Sequence, residues 1–138
     1  MKRVLVDTGP LVAILSRDDA HHELCVSELH RMPTPLLSCW PVITEAALML
    51  RRSPKAVRQL LGNVDGGFIT LLPLTGKEGL AIAELMKRYE GLRPQLADAA
   101  LVHLASREGI RTIFTLDQRD FSVYRSEGKR SFVIIPEI

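Results

Sequence analysis

The sequence predicts an α/β fold, a three-layer α/β/α sandwich around a mostly parallel, twisted sheet. Three observations carry this. Short continuous apolar runs such as Val4-Leu5-Val6 suit strands buried on both faces of a parallel sheet. Stretches with helical spacing of apolar residues separate those runs, so strands alternate with helices, as right-handed β-α-β crossovers require. The first run also ends abruptly in Asp7, at the carboxyl edge where open α/β sheets collect ligands and catalytic groups.

Taken in order, Val4 to Val6 form the first strand, and Thr8-Gly9-Pro10 supplies an N-cap candidate and a first-turn proline for a helix through Leu15. Asp19 can cap a second helix carrying Leu24, Cys25, Val26 and Leu29, which Pro33 and Pro35 terminate. Leu36 to Cys39 read as a strand and Pro41 opens a helix with Val42, Ile43, Glu45 and Ala46, making a second strand-to-helix corner. Ser53-Pro54 starts another helix, Asn63 to Gly67 a turn, and Phe68 to Leu72 a strand. Thr75-Gly76-Lys77-Glu78 fits a capping box ahead of the helix with Leu80, Ile82 and Leu85. Pro94 begins a helix over Gln95 to Arg107 that Gly109 stops. Arg111 to Thr115 form a strand, Leu116 to Tyr124 a loop with one helical turn, and Phe132 to Ile135 the last strand.

The bulk properties bound the reading. A chain of 138 residues with 46% apolar content supports one domain, residues 1–138, and no repeat or linker divides it. A net charge of +2 leans only mildly toward anionic partners. Cys25 and Cys39 lack metal-ligand spacing, so reduced thiols are expected. Met1-Lys2-Arg3 before apolar residues resembles a leader, but Asp7 interrupts it, and no run approaches the roughly 18 apolar residues of a membrane span. A soluble, cytoplasmic protein is expected.

Four acids fall at element ends: Asp7 and Asp117 after strands, Glu45 and Asp98 near helix starts. A local reading exists for two of them, Asp7 as a helix cap and Glu45 as a partner of the helix dipole. Asp98 is harder to explain so, since it sits among Ala97, Ala99, Ala100 and Leu101 with no Lys or Arg three or four residues away. In a doubly wound sheet these edges converge. A carboxylate cluster is costly to ionise, and a hard divalent cation, Mg²⁺ or Mn²⁺, resolves the repulsion. Zinc is disfavoured without a His-x-x-His or Cys-x-x-Cys pair. Such a site activates water and offsets charge in phosphodiester cleavage. Asp120, three residues after Asp117, is a further acid nearby. Other constellations point less sharply. His21-His22 reads as a solvated pair and His103 as a core or rim histidine, and no Gly-rich nucleotide loop is present. Arg51, Arg52, Lys55 and Arg58 make the densest basic group, either a solvated face or a contact for phosphates.

These acids and their neighbours resemble the motifs of the PIN-domain ribonucleases, especially the VapC-like toxins of type II toxin-antitoxin pairs. Val4-Leu5-Val6-Asp7-Thr8-Gly9-Pro10-Leu11, Val42-Ile43-Thr44-Glu45-Ala46, Leu96-Ala97-Asp98-Ala99-Ala100-Leu101 and Thr115-Leu116-Asp117-Gln118-Arg119-Asp120-Phe121 match the family's four motifs in order and spacing. The resemblance implies an Mg²⁺- or Mn²⁺-dependent endoribonuclease. Asp7, Asp98 and Asp117 would be metal ligands, Glu45 a ligand or the group orienting the attacking water, and Thr8, Thr115 and Asp120 would support them. It further implies a homodimer and a small antitoxin whose peptide covers the acidic pocket. A PIN-fold nuclease of RNA processing and a non-catalytic module using the acids to bind a basic peptide are the alternatives. A haloacid-dehalogenase-like phosphatase is disfavoured because Gly9 stands where its second Asp belongs, and a receiver domain because its acidic pair and late Lys are missing.

Overall fold

Val4, Leu5 and Val6 are fully buried and form β1 (Val4–Val6), the central strand of the molecule. The computed structural model describes residues 3–138; Met1 and Lys2, which begin the leader-like stretch, lie outside the described residues. Around β1 the chain builds a five-stranded sheet in the order β3-β2-β1-β4-β7, from β2 (Leu36–Ser38), β3 (Ile69–Leu71), β4 (Thr112–Phe114) and β7 (Val133–Ile135). Every pairing in it is parallel, with Leu5 opposite Leu37 on one side and Ile113 on the other. The strand order reverses direction at β1 and β4. With right-handed crossovers that reversal puts helices on both faces, the three-layer arrangement expected.

The helices are α1 (Thr8–Leu15), α2 (His22–Leu29), α3 (Trp40–Met49), α4 (Pro54–Asp65), α5 (Gly79–Arg88), α6 (Leu96–Glu108) and the single turn α7 (Gln118–Phe121). Small and branched apolar residues make α6 the most buried of them: Ala97, Ala100, Leu101, Val102, Leu104 and Ala105 are all covered. Gly109 ends it at φ 66°, a left-handed conformation that glycine takes without a Cβ clash. The Thr75–Glu78 capping box forms, closing a 3₁₀ turn that leads into α5. Glu78 is further held by His103 at 2.8 Å and Arg107 at 2.7 Å, which binds the start of α5 to α6. Cys25 and Cys39 are free and buried, and burial pushes both thiols up to about 11.

Several local expectations are corrected. Asp7 rather than Thr8 caps α1, because β1 ends at Val6 and leaves Asp7 extended, its Oδ1 accepting from the Thr8 amide at 2.8 Å. The turn expected at Asn63 to Gly67 is mostly helix, since α4 runs to Asp65 and only Gly66-Gly67 turns the chain. A two-stranded antiparallel ribbon, β5 (Arg125–Ser126) with β6 (Arg130–Ser131), follows α7 unannounced. Its strands are too short and polar to show alternation. Among the described residues no helix is long and apolar enough to cross a membrane.

Candidate active site

The strands deliver their acids to one edge. The Asp7 amide donates to the Phe114 carbonyl at 2.9 Å and the Thr115 amide to the Ile135 carbonyl at 3.0 Å, so the ladder runs one residue past each strand and sets Asp7 beside Thr115. The Thr115 hydroxyl then donates to Asp7 Oδ2 at 2.8 Å and accepts from the Asp117 amide at 2.9 Å. This is the point at which the sheet reverses direction, where open α/β sheets form their crevice.

Two helices bring in the remaining acids. Glu45 lies on the second turn of α3, not the first, because the helix starts at Trp40; no acid occupies its first turn. The reading of Glu45 as a partner of the helix dipole therefore loses its basis, and its Oε2 instead accepts from the Thr8 hydroxyl at 3.2 Å. Asp98 has a partner that its neighbours in sequence do not reveal: its Oδ2 accepts from the Gln95 amide at 3.0 Å, capping α6. The Gln95 side chain, with its nitrogen toward Glu45, touches that carboxylate as well, so one residue spans two acids. Asp117 Oδ1 accepts from the Asp120 amide at 3.1 Å.

Asp7, Thr8, Glu45, Asp98, Asp117 and Asp120 thus line one pocket of about 590 Å³. Every site residue named from the sequence except Thr115, buried beneath, is in its wall. Sequence reasoning missed Gly9, Leu48, Met49, Arg93, Gln95 and Leu116, which complete it. The signal for Arg93 and Gln95 was their position flanking Pro94, one turn ahead of Asp98. Gly9 packs beside Leu116 in this wall, where an added Cβ would stand 3.4 Å from the Leu116 side chain, at ordinary van der Waals distance. The basic group lies elsewhere: Arg51 and Arg58 border a larger cleft of about 760 Å³ between α3 and α4, walled by Ala47, Val57 and Leu61.

The electrostatics are those of a crowded acid site. Burial, with smaller pushes from Asp98 and Asp117 and against the pull of Thr115 and the Thr8 amide, lifts the Asp7 carboxyl to about 6. Asp98 is raised by burial and then by Asp117, Glu45 and Asp120, with the Gln95 amide opposing. Asp120 is raised by burial and by Asp117. Tyr124, whose hydroxyl is buried and has no hydrogen-bond partner among the described residues, is raised by burial and by the same acids. A hard cation fits this set in kind, because the donors are all oxygen and need a counter-charge. Among the described residues no three His, Cys, Asp or Glu side chains are grouped closely enough to hold an ion, and the four acids are engaged within the chain: Asp7 by Thr115, Glu45 by Thr8, Asp98 by the Gln95 amide and Asp117 by the Asp120 amide.

A parallel doubly wound sheet with carboxylates gathered at its reversal point defines the class, and the chain belongs to the PIN domain family, whose model matches residues 4–126. Among individual proteins it is 32% identical over 136 residues to Ribonuclease VapC26 of Mycobacterium tuberculosis (strain ATCC 25618 / H37Rv), an alignment covering 96% of this chain and 100% of that one. Its fold matches the crystal structure of Mycobacterium tuberculosis VapC20, described as a Sarcin-Ricin loop cleaving toxin, with a TM-score of 0.77 over 84% of this chain and 91% of that chain. At 17% identity that second likeness is one of fold.

Proposed function

We propose that this protein is an endoribonuclease dependent on Mg²⁺ or Mn²⁺, and the toxin of a toxin-antitoxin pair. The observation that carries the reading is the convergence of Asp7, Glu45, Asp98 and Asp117 on one pocket at the sheet's reversal point, their burial and mutual repulsion raising Asp7 and Asp98. Membership of the PIN domain family and the likeness to a ribonuclease over nearly the whole chain support it.

Asp7, Asp98 and Asp117 would hold the ion, with Glu45 as a fourth ligand or as the base that orients the attacking water. When bound, a divalent cation supplies the charge that lowers the pKa of water and offsets the developing charge on the phosphate. The chain's own part is orientation. Thr115 fixes Asp7 and the backbone at Asp117, and Thr8 fixes Glu45; such supporting hydroxyls govern carboxylate geometry around a metal. Asp120, hydrogen-bonded through its amide to Asp117, sets how that carboxylate turns. Gln95 keeps Glu45 and Asp98 at a common spacing.

The same reading gives the protein a cytoplasmic location, an RNA substrate, a second copy of itself and a small antitoxin as partners. Leu48 and Met49 line the pocket and, with Trp40 on the same helix α3, are each 60% exposed, an apolar surface that a protein partner would cover. An antitoxin arginine would be drawn to the carboxylates.

The test is cleavage of mixed cellular RNA by the purified protein in Mg²⁺ or Mn²⁺, with EDTA and Asp98→Asn as controls. Discrete cleavage lost in both controls is the expected outcome. A folded, partner-free protein that cleaves nothing, or an Asp98→Asn variant as active as the parent, would sink the assignment.

A further inference from the structure

The pocket has an unsolved problem of charge. It is lined by Asp7, Glu45, Asp98, Asp117 and Asp120, and its substrate under the proposed reading is a polyanion. A cation seated among the acids would relieve part of that repulsion, and a positive group of the chain at the mouth would draw in the RNA backbone beyond it. Of the described residues lining the pocket, Arg93 alone is a cation.

Its backbone is unusual. Arg93 has φ 51° and ψ 55°, a left-handed conformation uncommon for any residue with a Cβ. It also precedes Pro94, and a residue before proline is driven toward extended conformations. Two local preferences are broken at one position. Such outliers persist only where the surroundings over-determine them, and they gather at functional sites. Here the determinants are visible. The Arg93 amide donates to the Glu90 carbonyl at 3.0 Å and the Leu92 amide to the Tyr89 carbonyl at 2.9 Å, which fixes the turn before it. The Gln95 amide, two residues on, is fixed to Asp98. The chain is pinned on both sides of Arg93.

The side chain is not used by the fold. Arg93 is exposed, and among the described residues its guanidinium makes no hydrogen bond or ion pair, although five carboxylates share its pocket. Arg107, by contrast, is taken up by Glu78, Glu108 and the Pro73 carbonyl. Serving neither a cap nor a salt bridge, Arg93 is held at the rim with its five N–H donors available, the fork that matches two oxygens of one phosphate.

We propose that Arg93 is a phosphate-binding residue, whose guanidinium grips an RNA backbone phosphate at the edge of the carboxylate pocket. The inference rests on the nuclease reading for its ligand, and its test separates the two. In an Asp98→Asn background, which leaves RNA intact, binding of a short fluorescein-labelled single-stranded RNA is followed by anisotropy in Mn²⁺ over a series of KCl concentrations. Adding Arg93→Gly removes the side chain while suiting the left-handed backbone, so the fold is kept; Arg93→Lys keeps the charge without the fork. Arg93→Gly is expected to weaken binding about tenfold. It should also lower the slope of log Kd against log salt by about 0.7, the loss of one phosphate contact on a single strand. Arg93→Lys restores the slope and part of the affinity. Unchanged affinity in Arg93→Gly, or weaker binding at an unchanged salt slope, would overturn the assignment. Cleavage by the protein with Asp98 and Arg93 intact is measured alongside. If it cuts nothing while Arg93→Gly still loses binding and slope, the nuclease reading falls and Arg93 keeps its role; if the Asp98→Asn protein binds no RNA, both fall.

Discussion

Replacing Asp7 by Asn should stabilise the protein at neutral pH while abolishing cleavage. Asp7 is 7% exposed, and burial, with Asp98 and Asp117 adding, lifts its carboxyl from 3.8 to about 6. A carboxyl with a higher pKa in the fold than in the unfolded chain holds its proton more tightly when folded. The stability it contributes is therefore full below 3.8 and is lost as pH rises through about 6. At about 1.4 kcal/mol per pKa unit, ionised Asp7 costs the fold about 3 kcal/mol above that window. Asparagine removes the cost and keeps an oxygen for the Thr8 amide. Replacing the charged acceptor of the Thr115 hydroxyl by an amide gives back about 1–2 kcal/mol, leaving a net gain of about 1–2 kcal/mol. Urea denaturation at about pH 5 and about pH 8 reads it: the parent weakens between the two, and the variant stays flatter and ends above it. The raised carboxyls of Asp98 and Asp120 add to the parent's decline with the same sign. Mn²⁺ should close the gap at the higher pH, since only the parent gains by binding it. A parent that grows more stable across this window, or an Asn variant weaker than the parent at its upper end, would refute the reasoning.

Two further outcomes follow from the same geometry. Thr115→Val keeps the shape of a fully buried side chain but removes the donor to Asp7 and the acceptor for the Asp117 amide; isothermal titration with Mn²⁺ should show affinity falling about 10- to 100-fold. Glu78 titrates in the opposite sense: the Thr75 amide, His103 and Arg107 hold its carboxyl down at about 2, so the stability it contributes is present above 4.5 and is lost as pH falls toward 2. Glu78→Gln should thus lower the thermal midpoint at neutral pH and flatten the acid limb of the profile, and an acid limb as steep as the parent's would show that this carboxylate carries none of it.

Much of this architecture was legible because its signals are local. Val4 to Val6 could be read as a buried strand from their apolar continuity, the Thr75–Glu78 box from its spacing, and the end of α6 from Gly109. The acids that line the pocket were legible as well, because they fall at element ends and a doubly wound sheet gathers those ends. Unread features depend on contacts between distant segments or on backbone angles. The partner of Asp98 is close in sequence but is a backbone amide, that of Gln95, which leaves no trace in residue type. The dipole reading of Glu45 rests on closeness to the helix start, and a start at Trp40, one residue ahead of Pro41, carries it further into the second turn. The left-handed turn at Arg93 runs against both its side chain and the proline that follows, so no propensity could announce it.

The hydrogen bonds through Thr115 run one way. A hydroxyl carries a single proton, and that proton is committed to Asp7, while the oxygen is committed to the Asp117 amide. The chain of donors therefore leads from the end of β4 to the end of β1, and it terminates on a carboxylate oxygen that must remain an acceptor. A proton arriving on that oxygen reverses the bond: the carboxyl then donates to the second lone pair of the Thr115 oxygen, which still accepts from the Asp117 amide, and the hydroxyl proton must find another acceptor. The protonation of Asp7 is in this way felt at the one hydroxyl that also holds the Asp117 amide, across two strands adjacent in the sheet and 108 residues apart along the chain.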